Sequence, residues 1–411
     1  MTGALEGPAA SEHATASRVR AVGSLAPPAL LGAAALVVGS ALLRGGGSRP
    51  GPLFWIGSAA VLAAAGAATA VLAGALPRPA LGRAGAALLV FTAAVGVWAG
   101  ITIVWSIEPD RTWDSFNRAA AYFSVLVLGV IAGAAVRRAP RVTVSLLAVL
   151  FALTLGWALL TVVVPSVGPD VERSARLREP VEYWNALALV AAMALPVWLW
   201  LRRPLGAVAC FATVVALLLT TSRGGFLVAA VAVAVWLVAV RPRREAAWLL
   251  LVSVPPGLAV GGWALTTAVA EAGTTGDTRA GVLLGVVLGV VAVGVFALAR
   301  RPAPRWASRS AAAVALAGVI AAAAVAAPRF DDAWNEFRNP PAVQVTNDPS
   351  RLGELSSNHR WTWWTQAWTI FRDHPLGGTG AGTYAQFNVN FGVSTSGTMT
   401  ASVESAPKLA A

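Results

Sequence analysis

The chain has 411 residues, 57% of them hydrophobic and only 12% charged, with a mean hydropathy of +0.67. A soluble domain carries about 25% charged residues, so a soluble enzyme is excluded, and the single cysteine, Cys210, excludes an intrachain disulfide framework. The formal net charge of +12 could suggest nucleic acid, but most basic residues lie in short stretches between apolar runs, where the positive-inside rule accounts for them, and no nucleic-acid partner is expected.

Residues 1–25 are polar and Ala-rich, without a short apolar segment and cleavage site, and read as a cytoplasmic tail rather than a signal peptide. Apolar runs then follow at 26–43, 53–76, 84–106, 119–136, 142–164, 183–201, 204–221, 226–240, 248–270, 280–299 and 311–327. Most approach the ~20 residues a helix needs to cross the hydrocarbon core. They are continuous rather than alternating, which points to helices and not to barrel strands. The expected fold is an all-α polytopic bundle of about eleven spans over 26–327, followed by an extracytoplasmic segment, 328–411, containing short helices.

Charge sets the sidedness. The stretches after the second, fourth, sixth, eighth and tenth runs carry Arg78, Arg83, Arg137, Arg138, Arg141, Arg202, Arg203, Arg241, Arg243, Arg244, Arg300, Arg301, Arg305 and Arg309, against the one acid Glu245. The alternate stretches carry nine basic and nine acidic residues. The first set is therefore cytoplasmic, the N-terminus is inside, and the protein is a multi-pass protein of the inner, or plasma, membrane with the lipid bilayer as a partner.

Three outer segments stand out: Ser106–Arg118, Pro165–Asn185 and the tail from 328 on. In the tail, Asn358 or Ser357 can cap a helix running to about Asp373. Trp361, Trp364, Trp368 and Phe371 share one face of it, suited to rest on the spans or in the headgroup layer. Pro375 ends this helix, and GGTGAG at 377–382 reads as a flexible turn. It lacks the Lys-Ser/Thr of a phosphate loop and follows a helix rather than a strand.

The candidates for chemistry are few. Arg223, in TTSRGGF at 220–226, reads as an interfacial anchor before a glycine turn or as a cation gripping an anionic headgroup; its planar fork suits a diphosphate. In VERSARLREPVEYWN, Arg173, Arg176 and Arg178 alternate with Glu172, Glu179 and Glu182. They read as a self-paired loop or as further phosphate and sugar contacts. There Tyr183 and Trp184 could stack on a sugar and Asn185 could bond a hydroxyl; an aromatic belt explains the two rings equally. Arg360 falls in the first helical turn, where a cation is unfavourable unless an anion is shared. His359 precedes it. His374 sits at the helix C-terminus, as a charge–dipole contact or as a base orienting a hydroxyl. No Cys/His spacing suggests a metal, and no cofactor is called for.

Three motifs in order, YWNALAL (183–189), TTSRGGFLVA (220–229) and RWTWWTQAWTIFRDHPLGGTGAGTY (360–384), resemble those of the O-antigen ligase and polymerase superfamily of bacterial membrane proteins, over about residues 90–390. The resemblance implies a membrane glycan transferase that moves a glycan from an undecaprenyl-diphosphate carrier to an acceptor hydroxyl, on a glycan or another molecule, on the outer face. It implies neither nucleotide sugars nor metal. Arg223 and Arg360 are carried over as diphosphate contacts, Arg176 with them, and His374 as the outer-loop histidine. Such proteins usually continue with a further His motif and further spans, whereas 385–411 holds no His and no apolar run of span length. This raises the expectation of an incomplete architecture, weakly active alone. The rival readings are a transporter, which would place ionisable groups or broken helices near the midplane, and an inactive scaffold of an envelope polysaccharide assembly complex.

The topology is testable directly. In a Cys210→Ser background, Val345→Cys reacts with a membrane-impermeant thiol reagent in intact cells and Pro242→Cys does not; the reverse pattern overturns the assignment of sides.

Overall fold

A computed structural model describes residues 27, 29–45, 50–136, 138–168, 176–201, 204–240, 243–271, 278–307, 330–339 and 360–384. Among these, every regular element is a helix: α1 (Ala29–Leu43), α2 (Pro50–Leu72), α3 (Arg83–Ile101), α4 (Pro109–Ala135), α5 (Ala139–Val163), α6 (Trp184–Leu201), α7 (Pro204–Leu219), α8 (Arg223–Ala239), α9 (Arg243–Ala264), α10 (Thr278–Ala299), α11 (Phe330–Arg338) and α12 (Arg360–Asp373), with short 3₁₀ turns between some of them. The chain is an all-α polytopic membrane protein. The first ten apolar runs coincide with α1–α10. The eleventh run, the 1–25 tail, Arg173, His359, the helix cap at 357–358 and the 385–411 segment lie outside the described residues.

Seven helices (α2–α6, α9 and α10) are long and apolar enough to cross a membrane. Helices α7 and α8 have 16 and 17 residues, so at 1.5 Å per residue they reach about 24–26 Å, short of a ~30 Å hydrocarbon core.

The described residues group into two compact units. In the first, α2 and α3 each pack on α4, and Leu30, Ala64, Ala67, Leu76, Leu128 and Ile131 form its apolar core. Helix α4 begins at Pro109, with Pro at its first position and Asp110 in its first turn, both favourable at a helix start. Most of the segment expected as an outer loop, Ser106–Arg118, is therefore the head of a 27-residue helix.

In the second unit α7 is the hub, packed by α6, α9 and α10 and buried over most of its length. Trp198 Nε1 on α6 donates to Thr213 Oγ1 on α7 at 2.9 Å in the buried interior. Lipid tails are as apolar as side chains, so helix association in a bilayer rests on close packing of small residues. Two pairs of glycines four residues apart supply it. A Cβ on Gly257 or Gly261 of α9 would meet Val214 or Leu218 of α7 at 2.8 and 2.6 Å, and one on Gly281 of α10 would meet the Val162 and Val163 carbonyl oxygens at 2.7 Å.

These contacts predict a contrast. Gly257→Leu overpacks the α7–α9 seam, at a cost of about 1–3 kcal/mol, and lowers the midpoint of thermal unfolding in detergent. Gly289→Leu, which faces open space, leaves the midpoint near that of the parent. Equal midpoints for the two variants would contradict the seam.

Candidate functional site

The second unit joins two of the sequence motifs at the end of α7. A helix leaves its last carbonyls unpaired, and buried ones must find donors. Here each is answered. Thr220 N and Oγ1 bond Leu217 O, Thr221 N bonds Leu218 O at 2.9 Å, and Leu177 N bonds Leu219 O at 2.9 Å. The next two carbonyls, of Thr220 and Thr221, accept from Arg176 Nε at 3.0 Å and Nη2 at 3.3 Å. Arg176 is only 4% exposed. It is a cation at the negative end of the α7 dipole, and Trp184 covers one face of its guanidinium at 4.3 Å.

Beyond Thr221 the chain turns sharply. Thr221 has φ +47°, a left-handed conformation that a β-branched residue seldom adopts, and its buried Oγ1 has no hydrogen-bond partner. Such local strain collects at functional turns. Ser222 then caps α8, accepting from Gly225 N at 3.2 Å. Its hydroxyl donates to Asn185 Oδ1 at 2.8 Å, and Asn185 Nδ2 donates to Tyr183 Oη at 2.7 Å. Gly225 is needed because a Cβ there would collide with Ala188 of α6. Thus YWN and TSRGG form one hydrogen-bonded constellation, with half-buried Arg223 as the first residue of α8.

The expected site residues in this unit divide by geometry. Arg176 and Asn185 commit their polar groups to holding the turn, and Trp184 carries Arg176 on its face. Arg178 is half-buried, 3.7 Å from Glu179. Tyr183 is 49% exposed, with its ring centroid 5.5 Å from that of Trp184.

Helix α12 carries the other candidates. It runs from Arg360 to Asp373, ending where Pro375 requires. Arg360 and His374 are both exposed. They stand at opposite ends of 14 residues, so about 20 Å separates them along the axis. Next to Arg360, Trp361 packs edge-on against Trp334 and Phe337 of α11, with Arg338 over its ring at 5.4 Å. This aromatic platform was missed from sequence, although the FDDAWNEFR stretch carries a one-sided helical pattern. Trp364, Trp368 and Phe371 are exposed. The GGTGAG turn, expected to be flexible, is instead bonded to the segment between α3 and α4: Trp105 Nε1 donates to Gly377 O at 3.0 Å and Ile107 N to Thr379 O at 3.1 Å. Among the described residues no group of three His, Cys, Asp or Glu side chains is placed to hold a metal.

With this geometry in place, comparison with known proteins adds one finding. The sequence model of a family described as O-antigen ligase matches residues 272–402, under half of the chain, and includes α10, α11, α12 and the glycine turn. No curated protein and no solved structure matches.

The two arginines of the α7–α8 turn should separate in experiment. Removing Arg176 leaves buried carbonyls without donors, so Arg176→Gln destabilises by about 2–4 kcal/mol and lowers the unfolding midpoint in detergent. Arg223→Gln, at a half-buried helix start rather than at buried carbonyls, lowers it by less. Equal losses of stability in the two variants would contradict the division of roles.

Proposed function

We propose that the chain, whose match supports an O-antigen ligase or polymerase type of activity, is a membrane glycan transferase acting on the outer face. It takes a glycan from undecaprenyl diphosphate and passes it to an acceptor hydroxyl. One observation carries this reading: the Tyr183–Asn185–Ser222 hydrogen-bond chain and the buried Arg176 fix Arg223 at the head of α8. A helix start with a fixed guanidinium is complementary to a phosphate. The short α7 and α8 and the buried Thr220–Ser222 turn support a position of that cation close to the boundary of the hydrocarbon layer, where a lipid diphosphate lies.

In the reaction the acceptor oxygen attacks the anomeric carbon, the bond from that carbon to the phosphate oxygen breaks, and undecaprenyl diphosphate leaves with the electron pair. Charge grows on the leaving diphosphate, and Arg223 with Arg360 stabilises it. The hydroxyl proton passes to a base. A phosphate held by Arg360 lies far from His374 on the helix axis, so we assign the base to Glu182, half-buried one residue before Tyr183. His374 handles the acceptor away from the reacting bond. Tyr183 and the Trp334–Phe337–Trp361 platform offer faces for sugar rings.

The assay is transfer from an undecaprenyl-diphosphate-linked glycan in proteoliposomes. Arg223→Gln, Arg223→Lys and Glu182→Gln each lower the maximal rate by on the order of a hundredfold, the loss of a few kcal/mol at a desolvated charge. Lys fails because a point charge does not replace the fork. His374→Ala raises the acceptor concentration required and changes the maximal rate little. Wild-type rates in both Arg223→Gln and Arg360→Gln would overturn the phosphate grip.

A further inference from the structure

Deepening the reading above and resting on it for its functional consequence, we infer that the buried hydroxyl of Thr112 is a positioning residue, which pins the turn after His374 to the head of α4. All groups involved belong to the first unit. Thr112 is fully buried, although it stands in the charged first turns of α4. Its Oγ1 lies 2.6 Å from Ser106 Oγ and 3.1 Å from Ala381 O. Glu108 N can only donate, to Ser106 Oγ at 3.1 Å, and the Ala381 carbonyl can only accept. Thr112 has one proton, and its nearer carbonyl is Ala381 O, with Glu108 O at 3.4 Å; when that proton goes to Ala381, Ser106 donates to Thr112 while accepting from Glu108 N–H.

A second link runs the other way between the same segments: Ala381 N donates to Thr102 Oγ1 at 3.2 Å, and Thr102 donates onward to Ala99 O at 2.8 Å. With the Trp105 and Ile107 bonds already described, four hydrogen bonds hold one short turn. The glycines follow from this docking. Gly380 has φ +108°, and a Cβ there would meet Ser106 Cβ at 2.7 Å and Thr112 Oγ1 at 2.9 Å. Gly382, at φ +78°, faces Ser115 as closely. The GGTGAG sequence thus fits a backbone laid directly on α4, and the phosphate-loop reading is not required.

The pin reaches His374 through backbone. His374 N donates to Ile370 O at 3.0 Å, and its carbonyl accepts from Gly378 N at 3.0 Å. The imidazole is carried on the joint between α12 and the pinned turn, so freedom in the turn becomes freedom in His374. Thr112 lies outside the 272–402 family match, so the contact ties a matched turn to an unmatched helix head.

Hydrogen–deuterium exchange on the full chain in detergent reads the pin without any activity. Thr112→Val is nearly isosteric but leaves Ser106 and the Ala381 carbonyl without their partner. It should speed exchange in 374–384 about tenfold or more while leaving α6–α10 unchanged. Thr112→Ser keeps the hydroxyl and restores protection. Gly380→Ala, which breaks the docking from the other side, reproduces the Val result and keeps the test decisive if Thr112→Val folds poorly. With a total membrane-lipid extract as acceptor source, Thr112→Val should need several-fold more extract for half-maximal transfer, with the maximal rate within about twofold; plain destabilisation would lower the maximal rate instead. Unchanged exchange in both Thr112→Val and Gly380→Ala overturns the pin, and faster exchange with unaltered transfer overturns its positioning role. Faster exchange in the variants, together with a wild-type chain that transfers nothing, supports the pin and sinks the transferase reading.

Discussion

The last two carbonyls of the α7 turn depend on one buried guanidinium, and the order of the second unit follows from that dependence. In a bilayer an unanswered backbone carbonyl cannot turn to water, so a helix that stops inside the protein needs a donor from elsewhere in the chain. Arg176 supplies two N–H groups from 44 residues upstream. Its presence allows α7 to end early, Thr221 to hold a left-handed conformation, and α8 to start with Ser222 as its cap and Arg223 as its first residue. A stabilising arginine and the arginine that we propose meets the diphosphate are thus built into one turn. The first is buried and saturated, and the second is half-exposed at a helix start.

Much of the fold was legible because the bilayer restricts what a span can be. Continuous apolar runs located α1–α10, and the end of α12 before Pro375 fell where the sequence placed it. Less legible was anything set by contacts distant in sequence. Arg176 was singled out only by the resemblance, as a diphosphate contact, since nothing in its neighbours signals that it will reach Thr220 and Thr221. The glycine turn looked flexible because glycine permits freedom; the hydroxyls of Thr102, Ser106 and Thr112 that remove that freedom lie some 270 residues earlier. Some signals were present and unused. Pro109 and Asp110 mark a helix start inside a presumed loop, and the Gly257–Gly261 and Gly281–Gly285 spacings mark close helix packing.

The site follows the same division. YWN and TSRGG were read as separate motifs, and the hydrogen-bond chain from Tyr183 through Asn185 to Ser222 makes them one. Arg360 was read as a diphosphate contact and His374 as a group orienting a hydroxyl, with no distance between them legible in the sequence. The helix between them is a spacer of about 20 Å, which under the proposed function keeps the phosphate contact and the acceptor contact apart. Fixed cations suit this chemistry because charge appears on the leaving diphosphate only as its bond to the sugar breaks. Donors already oriented by the fold need no rearrangement at that moment.

The central claim is that this chain consumes a lipid-linked glycan and that Arg223 meets its diphosphate. It is tested most directly by measuring undecaprenyl-diphosphate-linked glycan in cells that lack the protein and in the same cells supplied with each variant. The account predicts that the lipid-linked glycan accumulates without the protein, returns to its normal level with the wild-type chain, and stays high with Arg223→Gln at equal expression. No accumulation in the cells lacking the protein, or full restoration by Arg223→Gln, would contradict it.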